Sequence, residues 1–385
     1  MRRRGGALMT FLYLVLFLSL VKRGAASNGC MSARRLAASS MTTERRSGAQ
    51  WKEPNVPPAA FLRPANVDPL NPRAASGYCP SAQHRLTTRR RRTRRHTRLW
   101  GIHTSPLMTI EVDRVRADTR GCVSSIHFNN AGASLMPKVV ADTYVEYVQQ
   151  EELAGGYEVA ATRGNELEGF YEAAARLLSC GKDEVAFVES ATRGWALAFY
   201  SLPLEEGDRI ITSAADYGSN FVAYLQARDS KGAEVVVVPD DEGGQIDLQR
   251  LREEARHPKA RVISISHIPT GGGLVNPAEE VGEIARQNNL VYFLDACQSV
   301  GQMPVDVQKI GCHVLTATGR KYLRGPRGTG LLYIRRTFLD QLVPCMLDQF
   351  GALLVSEESF KPREDARRFE MWEYNFAGKV ALTAA

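Results

Sequence analysis

Asp295 closes an apolar run in Asp295-Ala296-Cys297-Gln298, and Lys321 follows 26 residues later within Ala317-Thr318-Gly319-Arg320-Lys321-Tyr322. A glycine-rich stretch, Gly325-Pro326-Arg327-Gly328-Thr329-Gly330, comes next. A lysine amine can form a Schiff base with an aldehyde, and a carboxylate can keep a pyridine nitrogen protonated so that the ring accepts electrons. Together they are what pyridoxal phosphate chemistry requires. Rival motifs fail. Gly181-Lys182 precedes Asp183 and lacks the earlier glycine of a Walker loop, no GxGxxG follows a strand pattern, and neither HExxH nor GxSxG occurs. Nucleotide hydrolysis, zinc proteolysis and serine hydrolysis lose their support, and no metal site is expected.

These residues need a frame that brings them together. From about residue 123, short β-branched runs alternate with helical stretches, the pattern of a mainly parallel sheet wrapped by helices. Strands are predicted at 184–189, 208–213, 234–238, 261–266, 290–295, 312–317 and 329–335. Helices are predicted over Phe170 to Leu178, Asn220 to Arg228, Leu248 to Ala255 and Ala278 to Gln287, where apolar residues recur at three- and four-residue spacing. In an open α/β sheet, ligands sit at the carboxyl ends of the strands. Asp295 then stands at one strand end and Lys321 in the loop after the next strand. The expected architecture is a three-layer α/β large domain over 161–345, with 106–160 and 346–385 belonging to a smaller domain.

The string LDACQSVGQMPVDVQKIGCHVLTATGRKYLRGPRGTGLLYIR resembles the cofactor region of class V aminotransferase-fold enzymes. That family holds cysteine desulfurases, isopenicillin N epimerases and the sulfoxide lyases of ergothioneine formation. Further matches run in the same order: FNNAGASLMP at 128–137, ESATRGWALAF at 189–199, ADYGSNF at 215–221 and SHIPTGGGLVNP at 266–277. The resemblance covers about 126–385 and implies an α/β, fold-type-I pyridoxal-phosphate-dependent transferase with a three-layer αβα large domain and pyridoxal 5'-phosphate as cofactor. It implies Lys321 as the Schiff-base lysine and Asp295 as the partner of the pyridine nitrogen. Gln298 would bond the cofactor's phenolic oxygen. Ala191 and Thr192 would hold the phosphate through backbone N–H groups at a helix start, a role that needs no charged side chain. Thr318 stands where these enzymes often have a phosphate-binding Ser, and His267 ends a strand beside the cofactor as a candidate acid. Tyr217 stands where desulfurases stack a His on the ring; tyrosine keeps the stacking and loses the imidazole's acid–base function. Arg320 replaces the common His before the lysine, and Thr270 a common Asn. Gly155-Gly156-Tyr157 and Arg163 resemble an active-site loop of the lyase and epimerase branches.

Each position also has a plainer reading. Lys321 could belong to a solvated basic loop with Arg320, Arg324 and Arg327; Asp295 could cap a helix; Gln298 and Thr318 could be loop hydrogen-bonders. Tyr217 could pack at the sheet edge, His267 could be structural, and the glycines could mark a turn. Cys297 is most simply a small buried hydrophobe.

Charge is divided along the 385 residues. The net charge is +7, yet 1–105 hold 20 Lys/Arg against Glu44, Glu53 and Asp68, which leaves 29 basic and 39 acidic residues in 106–385. Residues 2–4 are arginines, 7–21 form a largely apolar run and Ala25-Ala26-Ser27 offers small residues for cleavage, the build of a signal peptide over 1–27. The run falls short of the about 20 residues of a membrane span, so no stable span is expected once the leader is removed. Residues 28–105 are rich in Arg, Ser, Thr, Ala and Pro and lack a sustained apolar period, so they read as a disordered basic leader. The arrangement is similar to the bipartite leaders of plastid proteins that travel by the secretory route. The cluster at 89–95 could instead contact nucleic acid or a membrane surface, but it lacks interleaved aromatics and adjoins an acidic body, for which no nucleic acid is expected. Seven cysteines without a CxxC pair exclude a disulfide scaffold and the usual zinc ribbons.

Only 64 residues follow Lys321, whereas the resemblance implies well over a hundred, carrying the arginine for a substrate carboxylate and, in desulfurases, a cysteine loop. The expectation is an incomplete small domain. Tyr217 and the Gly155-Gly156-Tyr157-Glu158 stretch favour an amino acid substrate handled by C–S elimination or by epimerisation at Cα, and ADYGSNF most resembles the sulfoxide lyases. Cysteine desulfuration is the alternative, but Cys345 comes too soon after the lysine to carry a persulfide. A catalytically silent protein of the same fold is the second alternative. A homodimer is implied, with Thr329 as the residue reaching the neighbouring site.

Overall fold

Apolar residues on alternate sides of the predicted strands require cover on both faces of a sheet, and the computed structural model supplies it. It describes residues 110–385; the leader and the arginine cluster lie outside the described residues. In chain order the strands are β1 (Val185–Val188), β2 (Arg209–Ser213), β3 (Glu234–Val238), β4 (Ala260–Ser266), β5 (Val291–Asp295), β6 (Val314–Thr318), β7 (Gly330–Ile334), β8 (Ala352–Ser356) and β9 (Ser359–Pro362). The helices are α1 (Val112–Ala117), α2 (Lys138–Ala154), α3 (Gly156–Thr162), α4 (Gly164–Leu178), α5 (Ala191–Phe199) and α6 (Gly218–Lys231). They continue with α7 (Leu248–Ala255), α8 (Ala278–Gln287), α9 (Val307–Ile310), α10 (Arg336–Leu339) and α11 (Phe376–Thr383).

The first seven strands form one sheet in the order β1-β7-β6-β5-β4-β2-β3. All are parallel except β7, which runs antiparallel to both β6 and β1. On one face Ile263, Tyr292, Leu294, Leu315 and Tyr333 pack with Phe170 and Leu178 of α4, Leu251 of α7 and Val281 and Ile284 of α8. On the other, Ile210, Val262, Phe293, Val314 and Leu332 pack with Trp195 and Phe199 of α5, Tyr224 of α6 and Phe338 of α10. This is the three-layer α/β domain of the sequence reading, fixed by a period of two along each strand.

Local chemistry sets the helix starts. Ser190 accepts the Arg193 N–H ahead of α5, and Asp247 accepts those of Gln249 and Arg250 ahead of α7. The hairpin β8–β9 was not predicted. Leu353, Leu354, Val355 and Phe360 are all exposed, so the sequence there has no buried face to signal.

The last helix, α11, packs against α2 and α4, with Ala377 and Val380 beside Tyr147 and Leu167. It also buries Lys379, whose amine donates to Tyr171 Oη at 2.6 Å and lies 3.6 Å from the Glu370 carboxylate. Glu370 in turn accepts the Tyr171 hydroxyl and the Phe187 N–H, each at 2.9 Å. The rings of Phe170, Tyr171, Phe187 and Tyr374 surround that amine at 4.2–5.6 Å. Burial pushes the Lys379 ammonium down and the Glu370 carboxyl up from their ordinary ranges. Among the described residues no helix is long and apolar enough to cross a membrane.

Candidate active site

Because β7 turns back against β6, Lys321 sits in a hairpin loop and not in a crossover. Gly319 N–H donates to the Thr329 carbonyl and Gly325 N–H to the Gly319 carbonyl, both at 2.8 Å, which closes the loop at its base. Leu382 of α11 packs beneath it: an added Cβ at Gly319 or Gly325 would meet that side chain at 3.0 or 2.5 Å. Gly301 supports the loop from the Asp295 side. It holds φ +94°, and a Cβ there would lie 2.6 Å from the Tyr322 carbonyl carbon, so glycine is needed for both reasons.

Lys321 is only 6% exposed, and its amine makes no hydrogen bond or ion pair among the described residues. It lies 5.8 Å from the centre of the Tyr217 ring. Asp295, at the end of β5, is 7% exposed; its Oδ1 accepts the Cys297 N–H at 3.0 Å and its Oδ2 accepts the Asn220 amide at 3.1 Å. Both line one cleft with Ala191, Thr192, Tyr217, Thr318 and Gln298. The cleft has a cavity of about 110 Å³ and opens to solvent. Glu189, Arg320 and Arg327 also reach its wall.

At one end α5 begins. Its first N–H groups, those of Ala191 and Thr192, have no carbonyl of their own helix to bond, so the dipole and free donors favour an anion there. At the other end Gln298 donates through Nε2 to the Ala131 carbonyl and Thr270 Oγ1, both at 3.1 Å, while its Oε1 is buried without a partner. A free amine, a strand-end carboxylate, anion-binding N–H groups and an unsatisfied amide in one cleft fit pyridoxal phosphate.

Several expected residues are placed elsewhere. His267 is not on the wall: its ring pairs with Ser299 Oγ at 3.0 Å, and burial pushes the imidazole down to about 4. Thr329 is buried at 1% exposure, with its hydroxyl turned inward to the Pro326 carbonyl at 2.6 Å. Tyr157 is 75% exposed on α3, and Arg163 pairs with Glu166 over the Tyr147 ring; neither lines the cleft. Cys345 donates its N–H to Ser201 Oγ, outside the cleft. Cys297 does reach the wall, but burial pushes its thiol well up, and it remains a protonated, weakly nucleophilic group. Sequence reasoning passed over Asn220 and Asp216, although both lie in the ADYGSNF stretch.

Comparison with known proteins agrees with this geometry. The class-V aminotransferase family matches residues 126–385, and the chain belongs to that family. It is thus a pyridoxal-phosphate-dependent enzyme of fold type I. A probable cysteine desulfurase of Methanothermobacter thermautotrophicus is 29% identical over 282 residues, covering 72% of this chain and 70% of that protein. The apo structure of a cysteine desulfurase from Thermococcus onnurineus NA1 superposes with a TM-score of 0.65 at 26% identity, covering 71% of this chain and 69% of that one. A cystine C–S lyase, C-DES, solved with its reaction product cysteine persulfide, shares the fold with a TM-score of 0.64 at 19% identity, covering 69% and 71%. These relatives bear desulfurase and C–S lyase names, and none of them the epimerase name.

Proposed function

We propose that this chain breaks the carbon–sulfur bond of a cysteine-type amino acid, and that cysteine desulfuration is the favoured form of that reaction. The observation that carries the reading is the unpaired Lys321 amine, buried in the same cleft as Asp295 and beside the Tyr217 ring. The desulfurase names of the sequence relatives support it over epimerisation. Bound in this cleft, pyridoxal phosphate supplies an aldehyde for amines and a ring that takes up electrons from a breaking bond.

The chain's own residues then divide the work. Asp295 would hold a proton on the heteroaromatic nitrogen, Gln298 would accept from the phenolic hydroxyl through its unpartnered amide oxygen, and the start of α5 would hold the phosphate with Thr318 beside it. Tyr217 would cover the ring face, and Lys321 would move the proton at Cα. A phenol stacks well but is a poor proton shuttle near neutral pH.

C–S elimination is the second reading, and Cys297 favours it. It is the only cysteine on the cleft wall among the described residues, and its raised pKa makes it a poor acceptor of sulfur. Incubation with cysteine separates the two: desulfuration leaves alanine, elimination leaves pyruvate and ammonia. Alanine with thiol-dependent persulfide supports the favoured form and pyruvate the second, whereas Cα racemisation without sulfide release refutes both. A homodimer belongs to the same proposal, tested by sedimentation.

A further inference from the structure

The turn that opens α6 touches the cleft twice. Tyr217 precedes the helix and presents its ring to Lys321, and Asn220, one turn on, is 2% exposed with its side-chain nitrogen 3.1 Å from Asp295 Oδ2. The carboxylate only accepts, so the contact fixes which end of the Asn220 amide faces it. Asp216, just before, locks this turn. Its Oδ1 accepts Ser266 Oγ of β4 at 2.8 Å and the Tyr217 N–H at 2.7 Å; its Oδ2 accepts Thr212 Oγ1 of β2 at 2.9 Å and the Tyr224 hydroxyl of α6 at 2.6 Å. Four donors from two strands, the turn and the helix leave this carboxylate no freedom, and with it the positions of residues 217 and 220.

We propose that Asn220 is a positioning residue for Asp295, holding its carboxylate toward the cofactor nitrogen in fixed register with the Tyr217 ring. The inference rests on the cofactor assignment above. Asp295 has two donors, and they come from different places. The Cys297 N–H belongs to its own loop, so Asn220 is the one that ties the acid to the element carrying the ring-facing residue. A hydrogen bond to a carboxylate is also stronger than one between neutral groups, so the contact fixes the orientation of the acid. The ionisable groups facing Asp295 are Asp216 across the turn, Cys297 on its own loop and Lys321 on the loop after β6. The neighbouring His267 ring turns away to Ser299.

The test uses the full-length chain loaded with pyridoxal phosphate and compares the wild type with Asn220→Ala and Asn220→Asp, reading the visible band of the bound cofactor alongside turnover of cysteine. Asn220→Ala is expected to change the band and to lower kcat by about tenfold to a hundredfold, with KM within about threefold, because a hydrogen bond to a charged group is lost. Asn220→Asp differs in one terminal group and keeps the shape of the site. At alkaline pH its new carboxyl opposes Asp295 as a like charge, and at acid pH it takes up a proton and donates as the amide does. Relative to wild type, its band and kcat should therefore recover as pH falls from about 9 to about 6, while Asn220→Ala does not recover; a role in folding alone gives no such rescue. A band unchanged by both variants, or an Asn220→Asp to wild-type ratio independent of pH, overturns the proposal while leaving the cofactor assignment in place. A wild-type protein that binds no pyridoxal phosphate overturns both.

Discussion

Two lysines of this chain are buried to nearly the same degree and lead opposite lives. Lys379 is held by Tyr171 and Glu370 inside a box of four rings, while Lys321 has no partner among the described residues and faces an open cleft. Burial alone therefore does not mark a functional group; what distinguishes Lys321 is that its desolvation is left unpaid by the protein. A buried amine without a partner costs free energy, and a ligand that engages it recovers that cost. Lys379 has its compensation built in and has nothing left to offer.

The contrast is broken most severely by exchanging the consequences of losing each amine. Lys321→Ala should remove the cofactor's visible band and lower turnover by more than about a thousandfold, with little change in the urea midpoint, because a nucleophile is lost and no structural partner is stranded. Retention of the band would reassign the lysine. Lys379→Met should do the reverse. It leaves Glu370 buried and unpaired, a loss of about 3–5 kcal/mol in chemical denaturation, while adding Glu370→Gln should recover most of it by removing the charge and keeping an acceptor for the Phe187 N–H. A double variant no more stable than Lys379→Met would show that the rings hold the helix and the ion pair does not.

The boundary between the two kinds of site can be sharpened through histidines. His267, behind the cleft, and His313, whose Nδ1 accepts the Tyr292 N–H, are both pushed down by burial from 6.5 to about 4. The unfolded chain takes up these protons first, so their contribution to stability is complete above about pH 6.5 and is lost as pH falls toward 4. By pH 5 the loss should be about 2 kcal/mol per histidine. His313→Asn, which keeps an acceptor, should flatten its share of that slope in urea midpoints measured between pH 7 and pH 5; an unchanged slope would mean that the ring is protonated when folded. Smallest of all is Tyr217→Phe, expected to leave kcat within about threefold, since the ring face is kept. A large loss would give the hydroxyl a part in proton transfer.

How much of this was legible in the sequence follows from the range of the interactions. The strands β1, β2 and β4–β7 were readable because each buries both faces, the edge strand β3 because its run of valines is β-branched, and the helices α7 and α8 because their apolar spacing is regular from end to end. The reversed direction of β7 was not, since Gly330–Ile334 reads as a buried run whichever way it points. Lys321 and Asp295 were found through residue type and strand-end position, Gln298, Tyr217 and the start of α5 through the family resemblance, and the structure gathers them in one cleft. His267 and Thr329 looked equally well placed, but whether a side chain turns outward or inward depends on Ser299 and Pro326, which no spacing reveals. Asn220 was missed for the opposite reason: an asparagine in a helix start suggests a cap, and its partner lies 75 positions away.

The hairpin that carries Lys321 also bears on the order in which the site can assemble. The loop from Gly319 to Thr329 closes on contacts a few residues apart, whereas Asp295 reaches its place only after crossover connections have laid β4, β5 and β6 side by side. Loop closure over short separations is fast and cheap in entropy, and parallel pairing across long ones is slow. A refolding chain would therefore present its lysine before it possesses the acid that makes the lysine useful, and cofactor capture would report the last stage of assembly.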